Sequence, residues 1–124
     1  MTAREPAPNN EPATRAKLAS ACRNKNRRSS AFSRTAPTEW TPGKVTNPET
    51  DLPFDAISAW HHVAVWLEEG HPIQCVVLDH PPGAAAYIMR IPLGVTGRSV
   101  YVKLQLTPNG DVHGRSFHYC YGTR

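Results

Sequence analysis

The sequence predicts an α+β fold: one main helix across the apolar face of a small antiparallel sheet of about four strands, preceded by a disordered basic tail. Three observations carry this. Residues 1–48 hold few large apolar side chains and many Pro, Asn, Ser, Thr and Arg, too little buriable surface to offset the cost of ordering a chain. Residues 54–69 (FDAISAWHHVAVWLEE) repeat apolar side chains at the helical period. Residues 98–106 (RSVYVKLQL) alternate at the period of a half-buried strand. The organisation is a tail over 1–48 and a folded unit over 49–124.

Charge divides near the same boundary. Residues 1–44 hold nine Lys/Arg against three Asp/Glu, and the remainder five against seven, within a net charge of +4. A basic tail attracts nucleic acid or acidic surfaces without regard to sequence, or simply keeps the chain soluble.

In chain order, Asp51 reads as a helix cap with Pro53 in the first turn. Phe54, Ile57, Trp60, Val63, Ala64 and Leu67 form the buried stripe. Gly70 ends the helix and Pro72 prevents re-entry. Residues 73–79 (IQCVVLD) read as a short β-branched strand, His80-Pro-Pro-Gly as a turn, and residues 86–91 (AYIMRI) as a second strand. A loop through Thr96-Gly97 leads into the final hairpin. Its apolar face, with Val100, Val102, Leu104, Phe117 and Tyr119, meets Phe54, Ile57, Trp60 and Leu67. Trp60 and Trp66 read as core, whereas Trp40 and Phe32 in the tail have no decided place.

The hairpin also carries the chemistry. Asn109-Gly110 is a two-residue turn signal. With that loop alone, Tyr101 lies opposite His118 and Lys103 opposite Ser116, with Cβ atoms about 5 Å apart. A four-residue loop keeps the same face, and only a one-residue bulge separates the pairs. One face then shows Tyr101, Lys103, Gln105, Ser116 and His118, and Arg90 joins if its strand pairs with the third. Polar side chains on a solvent face are ordinary. The pairing of Tyr101 with His118 is less so, because an imidazole titrating near pH 6.5 can take and give a proton at neutrality. Such a set suits phosphodiester cleavage in RNA, which brings its own 2′-hydroxyl nucleophile and needs no metal in that scheme. Tyr101, His118 and Lys103 are the catalytic candidates, with Arg90, Arg98, Gln105, Ser116 and Gln74 as substrate-binding candidates.

His61 and His62 point about 100° apart on a helix and cannot chelate one ion. The remaining His and Cys lack zinc spacing, so neither metal nor cofactor is expected. Three cysteines without a motif suggest a reducing cytosol. No apolar run reaches the roughly 18 residues of a membrane helix, and the N-terminus lacks the apolar stretch of a secretory signal.

Residues 54–119 resemble the motility quorum-sensing regulator (MqsR) toxins of the RelE-like group of bacterial ribonucleases. The matching pieces are Phe54-Asp55, Val100-Tyr101-Val102-Lys103-Leu104 and Ser116-Phe117-His118. The resemblance implies a cytoplasmic RelE-like toxin that cuts mRNA without a metal and is restrained by a cognate antitoxin, as in type II toxin–antitoxin systems. It matches the family's functional tyrosine to Tyr101 and places His118 where the family has a functional lysine. The family's other functional lysine and glutamine have no clean match; Gln74 and Arg90 are nearest. The competing expectation is a non-catalytic module that binds RNA or protein on the same face.

Overall fold

The computed structural model describes residues 12–30, 39–79, 82–94 and 97–120. Their elements are helix α1 (Pro12–Cys22), strands β1 (Arg28–Ser29) and β2 (Glu39–Trp40), a 3-10 turn at Pro42–Lys44, strands β3 (Thr46–Asn47) and β4 (Leu52–Pro53), helix α2 (Ala56–Glu68), and strands β5 (Gln74–Asp79), β6 (Pro82–Pro92), β7 (Ser99–Leu106) and β8 (Val112–Tyr119).

This corrects the predicted fold of one helix on about four strands with a disordered tail. The described residues form two helices, a mixed six-stranded sheet ordered β1-β8-β7-β6-β5 with β2 also on β8, and a separate β3–β4 ribbon. β5 to β8 run antiparallel in chain order. β1 and β2 join β8 in parallel, which makes the sheet mixed.

The tail folds on its described residues because its cations find fixed acceptors. Arg15 Nη1 donates to the carbonyls of Leu67 (2.9 Å) and His71 (2.8 Å), a cation placed on the negative end of α2. Arg23 grips the carboxylate of Glu68 through two bonds of 2.6 and 2.7 Å. Arg28 donates to the Cys22 carbonyl at 2.7 Å, and Arg27 to the Asn109 carbonyl at 2.9 Å. Main-chain bonds add to these: Val112 N–H donates to Arg27 O at 2.8 Å and Thr41 N–H to Phe117 O at 3.1 Å. Leu18, Ala21 and Cys22 are fully buried. Burial pushes the Cys22 thiol up to about 12, so it stays neutral.

Trp40 belongs to the core margin. It stacks on Trp60 with ring centroids 4.5 Å apart and meets Phe117 edge-on at 5.4 Å. It lies over Gly114, where an added Cβ would come within 2.5 Å of its ring. Phe32 and Arg34 fall outside the described residues.

α2 starts later than the sequence suggested. Asp55 is the cap: its carboxylate accepts from Ser58 N–H at 2.7 Å, and Ser58 Oγ accepts from Asp55 N–H at 3.0 Å, a reciprocal capping box. Asp51 instead sits in the β3–β4 turn at φ 64°. At the far end Gly70 adopts φ 89°. Its N–H donates to Leu67 O and that of His71 to Trp66 O, a Schellman closure. The buried stripe centres on Val63, flanked by Ala59, Trp60, Trp66 and Leu67. Ile57 falls at its edge and is 73% exposed, against expectation.

Hydrogen bonds from Ser58 hold the Asp55 carboxyl below its ordinary range. The sign follows: a depressed folded-state pKa gives stability that is present above the unfolded value of about 3.9 and lost as pH falls through the folded one. Asp55→Ala should therefore lower the urea midpoint at pH 7. The gap from wild type should narrow progressively below about pH 4; a gap constant down to pH 2 would refute the cap's charge dependence.

β6 is longer than expected and already includes Pro82 and Gly83; the predicted turn residues His80 and Pro81 lie outside the described residues. No helix among the described residues is long and apolar enough to cross a membrane.

Candidate functional site

The register sets three rows across the sheet. Arg90 pairs with Tyr101 and Tyr101 with His118. The next row runs Gln74, Ile88, Lys103, Ser116, Glu39. The third runs Val76, Ala86, Gln105, His113, Ser29. Cα partners share a face, so each row presents its side chains together.

Tyr101 meets His118 by two compensating irregularities. The hairpin loop holds three residues, 108–110, because beyond the Leu106–Val112 pair Thr107 N–H still donates to Asp111 O at 2.9 Å. Thr107 O accepts from Gly110 N–H at 3.0 Å, and Gly110 takes φ 88°, the type I turn with a left-handed third loop residue. This loop shifts the expected register by one. A bulge at Arg115 then restores it: Leu104 pairs with Gly114, but Lys103 pairs with Ser116.

The row containing His118 brings titratable groups together, and Glu39 reaches it from the next row. The Tyr101 and His118 rings stack with centroids 5.3 Å apart and planes 25° apart. Arg90 Cζ lies 5.3 Å from the Tyr101 ring centre, within cation–π range. His118 is only 8% exposed. Its Nδ1 lies 2.7 Å from the Tyr119 carbonyl and its Nε2 3.0 Å from Glu39 Oε1. Both neighbours are acceptors, so both bonds form only when each ring nitrogen carries a proton. Burial raises the Tyr101 phenol, partly offset by Arg90 and reinforced by Glu39. Burial likewise raises the Cys120 thiol, with Arg90 opposing. Glu39, Arg90, Tyr101, His118 and Cys120 line one open cavity of about 290 Å³.

The other candidates spread out. Lys103 and Ser116 are paired one pleat away from Tyr101 and His118, with Ser116 buried. Gln105 is buried and accepts from Arg115 Nη1 at 3.0 Å. Gln74 lies two strands over, against a separate recess of about 220 Å³ shared with Pro72, Ile73, Ile88 and Arg90. Arg98 does not join the cluster. Its Cζ sits 3.6 Å from the Tyr119 ring centre, and Tyr119 packs against the core on the opposite face. The alternation explains this, since 98 shares the parity of Val100 and Val102.

Glu39 is the residue sequence reasoning missed. Nothing local marks it, because its partner lies 79 positions away. Cys120 and Arg115 were likewise unassigned; a bulge that recruits Arg115 has no signature in the alternation. Among the described residues, no three His, Cys, Asp or Glu side chains are grouped as a metal site. Protein-family models, curated proteins and solved structures yield no match to this chain, so no family is assigned to it.

Proposed function

We propose that the protein is a metal-independent endoribonuclease, an mRNA interferase, acting at the Arg90–Tyr101–His118–Glu39 cavity. The observation that carries the reading is the shared cavity: a cation, a neutral phenol, an imidazole flanked by acceptors and a carboxylate line one recess.

The roles follow from protonation. Arg90 is a cation, and Tyr101 and Cys120 have raised pKa values. His118 faces acceptors on both nitrogens. Glu39 is thus the lining group with a basic lone pair in hand. An entering phosphate separates Glu39 from His118, which leaves an acceptor on one side and a donor on the other. The 2′-hydroxyl gives its proton to Glu39 as the O2′–P bond forms. The P–O5′ bond breaks, and O5′ takes the proton of His118 Nε2. Arg90 and the Tyr101 hydroxyl stabilise charge on the phosphoryl oxygens. The products are a 2′,3′-cyclic phosphate and a 5′-hydroxyl. Glu39, now protonated, returns the proton to His118 across their hydrogen bond.

In the cell this activity fits a toxin restrained by a cognate antitoxin. The two segments that resemble such toxins, around Val100–Leu104 and Ser116–His118, meet at this cavity, which supports the reading. The test is purified protein with a single-stranded RNA in excess EDTA. Cyclic-phosphate products are expected, and a 2′-O-methyl substrate should stay intact. Cleavage of the methylated substrate, or 3′-hydroxyl products, would refute the mechanism. Induced expression should arrest growth with loss of mRNA, and co-expression with the partner should relieve it.

A second reading is a module that binds RNA without cutting it. The engagement of both His118 nitrogens favours it, since neither is idle. RNA binding that Tyr101→Phe leaves intact, with no products at any pH, would select it.

A further inference from the structure

Arg115 is the extra residue of the β8 bulge, the position the β7–β8 register skips between Gly114 and Ser116. Bulges re-aim side chains beside functional sites. Here two successive residues serve the polar face, where an unbulged strand supplies one. Ser116 pairs with Lys103, and Arg115 Nη1 donates to Gln105 Oε1 at 3.0 Å. Gln105 is itself buried, so it holds the guanidinium on that face rather than leaving it to swing. Lys103 lies one row from the Arg90–Tyr101–His118 row and Gln105 two rows away, each step advancing about 6.8 Å along the strand. Three cations, Arg90, Lys103 and Arg115, follow this path among the described residues, against the single carboxylate of Glu39 in the same rows. Charge complementarity therefore favours a polyanion running from the cavity along β7 and β8.

We infer that Lys103 and Arg115 form an anion subsite for the phosphate adjacent to the one cut, so that the substrate is a single-stranded RNA extending beyond the scissile dinucleotide. This rests on the cleavage reading for its first phosphate and adds the second. A recess in a sheet face is reached by a splayed single strand, whereas the phosphates of an A-form duplex wrap around its grooves.

The test uses full-length protein and uniformly 2′-O-methylated octanucleotides, which lack the nucleophile and so report binding alone. Kd is measured against salt. Arg115→Gln should weaken binding about tenfold and reduce the log–log salt slope by about 0.7, the value for one phosphate contact on a single strand. Arg115→Lys should keep the slope. Lys17→Gln, on an exposed position of α1, should match wild type. Lys103→Gln gives the same readout if Arg115→Gln does not fold. A slope unchanged in both subsite variants, or an equal loss in Lys17→Gln, would overturn the subsite. Unmodified RNA is assayed alongside. Its survival with wild type, while the slope difference persists, would sink the cleavage reading and leave the subsite standing.

Discussion

Replacing His118 by alanine is expected to lower RNA cleavage by about 10²–10⁴-fold, the usual worth of a positioned proton donor. The substitution also removes the ring stacked on Tyr101 and the partner of Glu39, so alanine alone could mislead by disturbing the fold. His118→Gln is the companion variant. Its amide can still bond Glu39 but cannot transfer a proton, so it should lose the same factor while melting near wild type. Single-turnover cleavage of a labelled oligonucleotide, with a thermal melt of each variant, decides the matter. A folded His118→Gln protein that cuts at the wild-type rate would remove His118 from the chemistry. Glu39→Gln should also slow the reaction, by the loss of the acceptor.

Trp40→Ala is expected to cost about 3 kcal/mol in folding stability, the low end for emptying a large aromatic site, because the ring is wedged against Trp60, Phe117 and Gly114. Gly114→Ala should cost about 1–3 kcal/mol by the opposite route, overpacking: the new methyl would meet the indole at 2.5 Å, and an indole ring cannot bend away. The informative variant is the double one. Once Trp40 is gone the Gly114 methyl has space, so the second substitution should add almost nothing to the first. Urea denaturation of all four proteins gives the coupling directly. Additive losses would mean that Trp40 does not occupy the space above Gly114. Both single variants should also slow cleavage, since Trp40 anchors the strand that carries Glu39.

The sequence made some of this legible, and the reasons differ by element. Alternation in 98–106 identified β7, and the helical period identified α2, because each signal is local. The facing of Tyr101 and His118 was anticipated by a route the molecule does not take. The Asn109-Gly110 signal suggested a two-residue loop; the real loop has three residues, and the bulge at Arg115 offsets the difference. Parity survived because the two irregularities cancel, not because either was foreseen. Over its described residues the tail was misjudged, for a physical reason. Counting apolar side chains treats arginine as charge, yet Arg15, Arg23, Arg27 and Arg28 act here as multi-donor clamps on carbonyls and carboxylates. The strands they secure are two residues long, far below the length at which a period can be read. Glu39 was invisible for that reason, and so was half of the proposed acid–base pair.

The parallel attachment of β1 and β2 to β8 has a meaning for how the protein is born. The strand that receives residues 28–29 and 39–40 is the last one described, so these early residues wait for it before they find their place, Glu39 for a partner 79 positions later. On a ribosome, which releases the N-terminal part first, Glu39 emerges long before His118 exists. A partly synthesised chain thus lacks the assembled pair, and pairings this distant in sequence close slowly. A ribonuclease built this way would stay harmless to the message being translated until β8 had emerged.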